Sequence, residues 1–225
     1  MSESKPERRG WSKTQIFVTV IAVLLLIGFA MPSFCTVSES ANLSATLGNA
    51  RQIVTALNLY AQDHNGRYPD ADLAGASLSN EVFRRLIEEN IIQDERIFGA
   101  KSSKYVPDNN VGEAPQFAQA LEAGENHWAM TAGIAKDSGA LTPAVFENPA
   151  DASWPPLWNA DAASKAAKGR TWRKAKIIVS FHDSSVQAIQ LNPKIGPAVG
   201  PERAADGKDI FTRTSPSMKV LDILE

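Results

Sequence analysis

The chain is poor in the residues that most often carry chemistry. Its single cysteine, Cys35, excludes an internal disulfide framework and any zinc or iron–sulfur site built from several thiolates. The three histidines, His64, His127 and His182, lie far apart, and no H-E-x-x-H pair exists. There is no G-x-S-x-G elbow. Gly207-Lys208 is followed by Asp209, without the spacing or hydroxyl of a phosphate-binding loop. No catalytic constellation stands out, so an enzyme is not expected: His127 reads as a structural histidine and His182-Asp183 as a solvated turn. Excess positive charge is also missing. Lys and Arg number 23 against 25 Asp and Glu, a formal charge of −2, so a nucleic-acid partner is not expected.

Charge is absent altogether from residues 14–38, between Lys13 and Glu39. Residues 16–31 read IFVTVIAVLLLIGFAM. As a helix the uncharged run extends ~38 Å at ~1.5 Å per residue, more than the ~30 Å of a hydrocarbon core. Lys5, Arg8, Arg9 and Lys13 precede it, and the next positive residue is Arg51. That asymmetry predicts a single-pass membrane protein, N-terminus cytoplasmic and the bulk outside. A cleaved secretory signal ending at Gly28-Phe29-Ala30 is the competing reading, though the apolar run is longer than such signals need.

Apolar and small residues continue at Leu43, Leu47, Ala50, Val54, Leu57 and Ala61, widened by Ile53, Ala56 and Tyr60. The spacing of 4, 3, 4, 3 and 4 is a helical stripe. Asn49, Arg51, Gln52, Thr55 and Asn58 form the opposite, polar face. Asn65-Gly66 ends the helix and Pro69 prevents its resumption. The sequence therefore divides into a basic leader-like segment (1–10), a transmembrane half-helix (11–38) and its amphipathic continuation (39–66). An extracytoplasmic domain (67–191) with an inserted loop at about 148–175 follows, then a proline-rich tail (192–225).

Two segments carry a family resemblance. One is Arg8-Arg9-Gly10 followed by Trp11 and the apolar helix with Pro32, 22 positions after Gly10. The other is Asn49-Ala50-Arg51-Gln52-Ile53, then residues 57–69, LNLYAQDHNGRYP. Together they resemble type IV pilins and type II secretion pseudopilins over residues 1 to about 70. Arg96-Ile97-Phe98 and residues 124–129, GENHWA, resemble one branch of the same family. The resemblance implies an α+β, pilin-like fold in which a long N-terminal helix, transmembrane then amphipathic, packs on a small antiparallel sheet. It implies a non-catalytic structural subunit of a secretion or pilus-like assembly, held in a bacterial inner membrane with its C-terminal domain periplasmic. Its partners would be other pilin-like subunits through the N-terminal helix, an inner-membrane assembly platform, and a prepilin peptidase acting between Gly10 and Trp11. Family members carry Glu at the fifth mature position; here Gln15 stands there, with Lys13 intruding on the apolar run. Lys13, Gln15 and Pro32 are thus the expected assembly residues. The alternative is a membrane-anchored binding module that is neither processed nor polymerised.

Beyond the motif, residues 80–90 predict a helix capped by Ser79 or Asn80. Residues 127–132, 144–147, 176–181 and 186–191 predict strands, the last two as a hairpin. Trp154 and Trp158 within WPPLW form a candidate partner patch, against the alternative that they fold back over the sheet edge. Six basic residues between Lys165 and Lys176 read as a solvated loop. Asp108, Asn110 and Glu113 offer the oxygen chemistry of calcium without matching a defined ligand spacing; otherwise no cofactor is expected. Residues 218–224 are apolar enough to dock or add a last strand.

Overall fold

The computed structural model describes residues 11–73, 75–214 and 217–225, with side chains for all of these but 24–37. Helical backbone covers Lys13–Asp63 (α1), and the two compact units of the chain, Met1–Ala41 and Asn42–Glu225, divide inside it.

In the first unit Ser12 and Gln15 form a reciprocal cap: Ser12 N–H donates to Gln15 Oε1 at 3.0 Å and Gln15 N–H to Ser12 Oγ at 3.2 Å. Trp11, Ile16, Phe17, Val18, Val20, Ile21 and Val23 are all exposed. Among the described residues no helix is long and apolar enough to cross a membrane. The expected transmembrane half-helix, the single-pass inner-membrane placement and the periplasmic assignment that depended on it therefore do not hold.

The second unit is built on a six-stranded, wholly antiparallel sheet. Its strands are Trp128–Thr131 (β1), Pro143–Glu147 (β2), Lys176–Phe181 (β3), Val186–Asn192 (β4), Gly200–Pro201 (β5) and Val220–Leu221 (β6), in the order β5-β4-β3-β2-β1-β6. The helices Ser79–Glu88 (α2) and Ile210–Thr214 (α3) are short. Alternation along each strand sends side chains to opposite faces, and both faces are filled. Trp128, Met130, Val145, Ile178 and Leu221 share one core with Ala50, Ile53, Val54, Leu57 and Tyr60 of α1 and with Val82, Phe83 and Leu86 of α2. Ala129, Phe146, Ile177, Val179 and Leu191 share the other with Trp158, Phe211 and Val199.

This corrects the pilin-like expectation of a transmembrane-then-amphipathic helix on a small sheet. The sheet is larger and covered on both sides, because residues 148–175 and the tail supply a second apolar layer. The tail is no extended appendage: it provides β5, α3 and β6 and buries Phe211, Leu221 and Ile223. Asn49 and Asn58 also leave the expected polar face. Asn49 Nδ2 donates to Gly99 O at 3.1 Å and Asn58 is half-buried, whereas Arg51, Gln52 and Thr55 are exposed. Ser79 and Asn80 do not cap α2. Both are buried inside it, Ser79 Oγ donating to Trp128 O and Asn80 Nδ2 to Leu121 O, while Glu81 accepts from the Ser77 and Leu78 amides.

Candidate functional site

Three polar constellations stand out in the second unit. The first is acidic. Glu95 opens a 3₁₀ turn, Glu95–Phe98, whose preceding residue Asp94 accepts from Arg96 N–H. The loop that follows brings Asp108 and Glu125 to it, with one carboxylate oxygen of each of the three within 4.8 Å of the others. Glu95 is fully buried and accepts from the Asn109 and Leu121 amides. Glu125 accepts from the Glu122 amide at 2.6 Å. Burial first, and then the neighbouring carboxylates, pushes both Glu95 and Glu125 above the usual carboxylate range. Such a set of hard oxygens could hold a divalent cation such as calcium. It differs from the expected one: Asp108 belongs to it, but Asn110 only donates its amide to Asp108 Oδ1 in a local turn, and Glu113 is exposed outside it.

The second constellation is buried. His127 Nε2 lies 3.0 Å from Glu147 Oε1, and its Nδ1 lies 2.9 Å from Ser103 Oγ and 3.0 Å from Asn148 Nδ2. Glu147 also accepts from Trp172 Nε1 and the Ile178 amide, and Arg170 Nη2 stands 3.7 Å away. Glu147 accepts from its other partners on both oxygens, so its contact with His127 places the ring proton on Nε2. Desolvation then holds the imidazole below its ordinary pKa, so it stays neutral. The Ser103–His127–Glu147 chain is a possible proton path in outline. Yet His127 is 1% exposed and Ser103 Oγ already accepts from the Tyr105 amide. Its evident work is to fasten the 99–105 loop and the 148–175 segment to β1 and β2.

The third is a groove of about 660 Å³ lined by the end of α1 (Asn58, Gln62), the turn after it (Asn65), the 136–140 loop (Lys136, Ser138) and His182-Asp183 of the β3–β4 turn. Asn58 organises it. Its Nδ2 donates to His182 O at 2.9 Å and to Ser184 Oγ at 3.2 Å, and its Oδ1 accepts from the buried Tyr68 hydroxyl at 2.8 Å. Tyr68 Oη lies 2.9 Å from His182 Nδ1. Gly66 closes the end: at φ +77° it takes the left-handed conformation, and a Cβ there would sit 2.8 Å from Lys136 Cβ.

The other expected site residues scatter. Gly10 lies outside the described residues, as do the side chains of Pro32 and Cys35. Trp11 is 68% exposed, and Lys13 is exposed in the first turn of α1. Gln15 serves the helix cap. Trp154 and Trp158 do not make an exposed patch: Trp158 is fully buried, and both pack on Phe211 at centroid distances of 5.5 and 5.8 Å. Glu95, Glu125, Glu147 and Tyr68 were not singled out from sequence. The signal for the first two was present as isolated carboxylates inside the ERIF and GENHWA segments. No family model, curated protein or solved structure matches this chain.

Proposed function

We propose that this chain is a non-catalytic structural subunit of a pilin-like assembly, joining other subunits through the helical segment that begins at Lys13. The observation that supports this reading is the exposed apolar surface of residues 16–23. At 100° per residue, Ile16, Phe17, Val18, Val20, Ile21 and Val23 spread over about 220° around the helix axis, and all are exposed. An exposed apolar face this wide requires a covering partner. The leader resemblance supports the same reading, and so does the His127 network, whose histidine is closed to substrate. Other subunits of this kind are the proposed partners, and a prepilin peptidase acting after Gly10 would prepare the segment.

Cross-linking and sedimentation of the purified chain test this. Wild type forms concentration-dependent oligomers, and Phe17→Glu combined with Val20→Glu abolishes them without lowering the melting temperature of the Asn42–Glu225 unit. A wild-type chain that stays monomeric at all concentrations would overturn the proposal.

A further inference from the structure

The groove at the end of α1 has the makings of a binding site, independently of assembly through the helix. Its volume, about 660 Å³, falls within the ~300–1,000 Å³ of small-ligand pockets. Asn58 and Gln62, four positions apart, share one face of α1, and Asn65, in the turn just past its end, continues the wall they form. Asn58 is fully engaged and holds the wall in place. The side-chain amides of Gln62 and Asn65 lack hydrogen bonds among the described residues. An amide both donates and accepts, which is what a peptide group requires of its partner.

The two ends of the groove differ in charge. At the β3–β4 turn, the proton of Tyr68 is committed to Asn58 Oδ1, which can only accept. Tyr68 Oη must therefore accept from His182 Nδ1–H across their 2.9 Å contact. In the neutral ring this leaves His182 Nε2 with a free lone pair, next to the exposed carboxylate of Asp183. At the other end stands Lys136, its Cβ packed against Gly66 and its ammonium in no ion pair among the described residues. The opposite charges line one groove without meeting. The α1 part of the wall, from Asn58 to the end of the helix at Asp63, is ~8 Å long at ~1.5 Å per residue, and the turn that carries Asn65 extends it. An extended peptide of about three residues has a similar length at ~3.4 Å per residue.

We propose that this groove binds the zwitterionic form of a short extended peptide. Its ammonium meets Asp183 and His182 Nε2, its main chain pairs with Gln62 and Asn65, and its carboxylate meets Lys136.

Titration of the 225-residue chain with trialanine, followed calorimetrically and by the His182 ring signals in NMR, tests this. Saturable binding is expected up to about 10 mM peptide, with a shift of the His182 ring. Affinity should fall about tenfold in Lys136→Ala and again in Asp183→Asn, a difference the titration resolves. Both side chains are exposed, so unchanged melting temperatures would show that folding is intact. N-acetyl-trialanine amide should bind at least tenfold more weakly. Absence of saturable trialanine binding, or equal affinity for the doubly blocked peptide, would overturn the proposal.

Discussion

Asn58 lies on α1 among exposed neighbours, yet its amide is used three times over, by His182 O, Ser184 Oγ and the Tyr68 hydroxyl. Asn58→Asp removes both donors and sets a carboxylate against a carbonyl oxygen. It should cost about 1–3 kcal/mol, the range for leaving buried polar partners unpaired, measured by urea unfolding at neutral pH. Helical spacing could not reveal this: periodicity tells which way a side chain points, and the two acceptors of the Asn58 amide, His182 O and Ser184 Oγ, lie more than 120 residues away. The acidic cluster makes a second residue-scale prediction. Glu95 and Glu125 have raised pKa values, so the folded state holds protons that the unfolded state has lost. Stability therefore falls as pH rises above the ordinary carboxylate pKa. Asp108→Asn removes one of the three charges and keeps its turn acceptor. It should raise the melting temperature at pH 7 and leave it unchanged near pH 4. Repeating the comparison in calcium separates a cation site, where the order of the two proteins reverses, from plain repulsion, where it does not. Asp108 was visible in the sequence as a hard-oxygen donor. Its true companions, 13 positions before and 17 after it, were not, because a loop and a 3₁₀ turn bring them together.

At the scale of elements, the part of α1 within the folded unit was legible because its stripe is regular: Ala50, Ile53, Val54, Leu57, Tyr60 and Ala61 are buried. Val54→Asp places an unpaired charge in that core and should destabilise by several kcal/mol, read as a lowered urea midpoint. The β3–β4 pair was equally legible, since Lys176–Phe181 and Val186–Asn192 are β-rich and separated by a short polar turn. Of the two-residue strands, β6 falls inside residues 218–224, whose apolar run was expected to dock or add a last strand. β5 has no periodicity to detect and exists because β4 offers it free backbone groups. The cap of α2 was misplaced for a related reason: Ser79 and Asn80 are good capping residues locally, but distant carbonyls claim them first. Gly66→Ala should cost at least about 1 kcal/mol by calorimetry, since it adds a Cβ to a left-handed residue pressed against Lys136.

For the molecule as a whole, the second apolar layer is what the sequence hid most completely. Prolines at 193, 197, 201 and 216 suggested an extended tail, yet Phe211 from that tail packs between Phe146, Trp154 and Trp158. Phe211→Ala should cost about 3–5 kcal/mol, more than any single change in a detached tail could, and unfolding curves will show it. The end of the chain is fastened by charge as well. Glu225 accepts from Tyr105 and Lys104, which lower its pKa to about 2. The stability it adds is present above the ordinary glutamate pKa and fades as pH falls through about 2. Glu225→Gln should therefore lower the melting temperature at pH 7 and lose most of that effect by pH 2. The sheet's two borders carry a consequence for how copies meet. One border strand is Gly200–Pro201, flanked by the Trp158–Val199 bridge, and the other is only Val220–Leu221. Short rims with a proline offer little template for strand-to-strand growth. Polymers of this chain should therefore stain poorly with thioflavin and dissociate in mild detergent as native subunits, unlike amyloid.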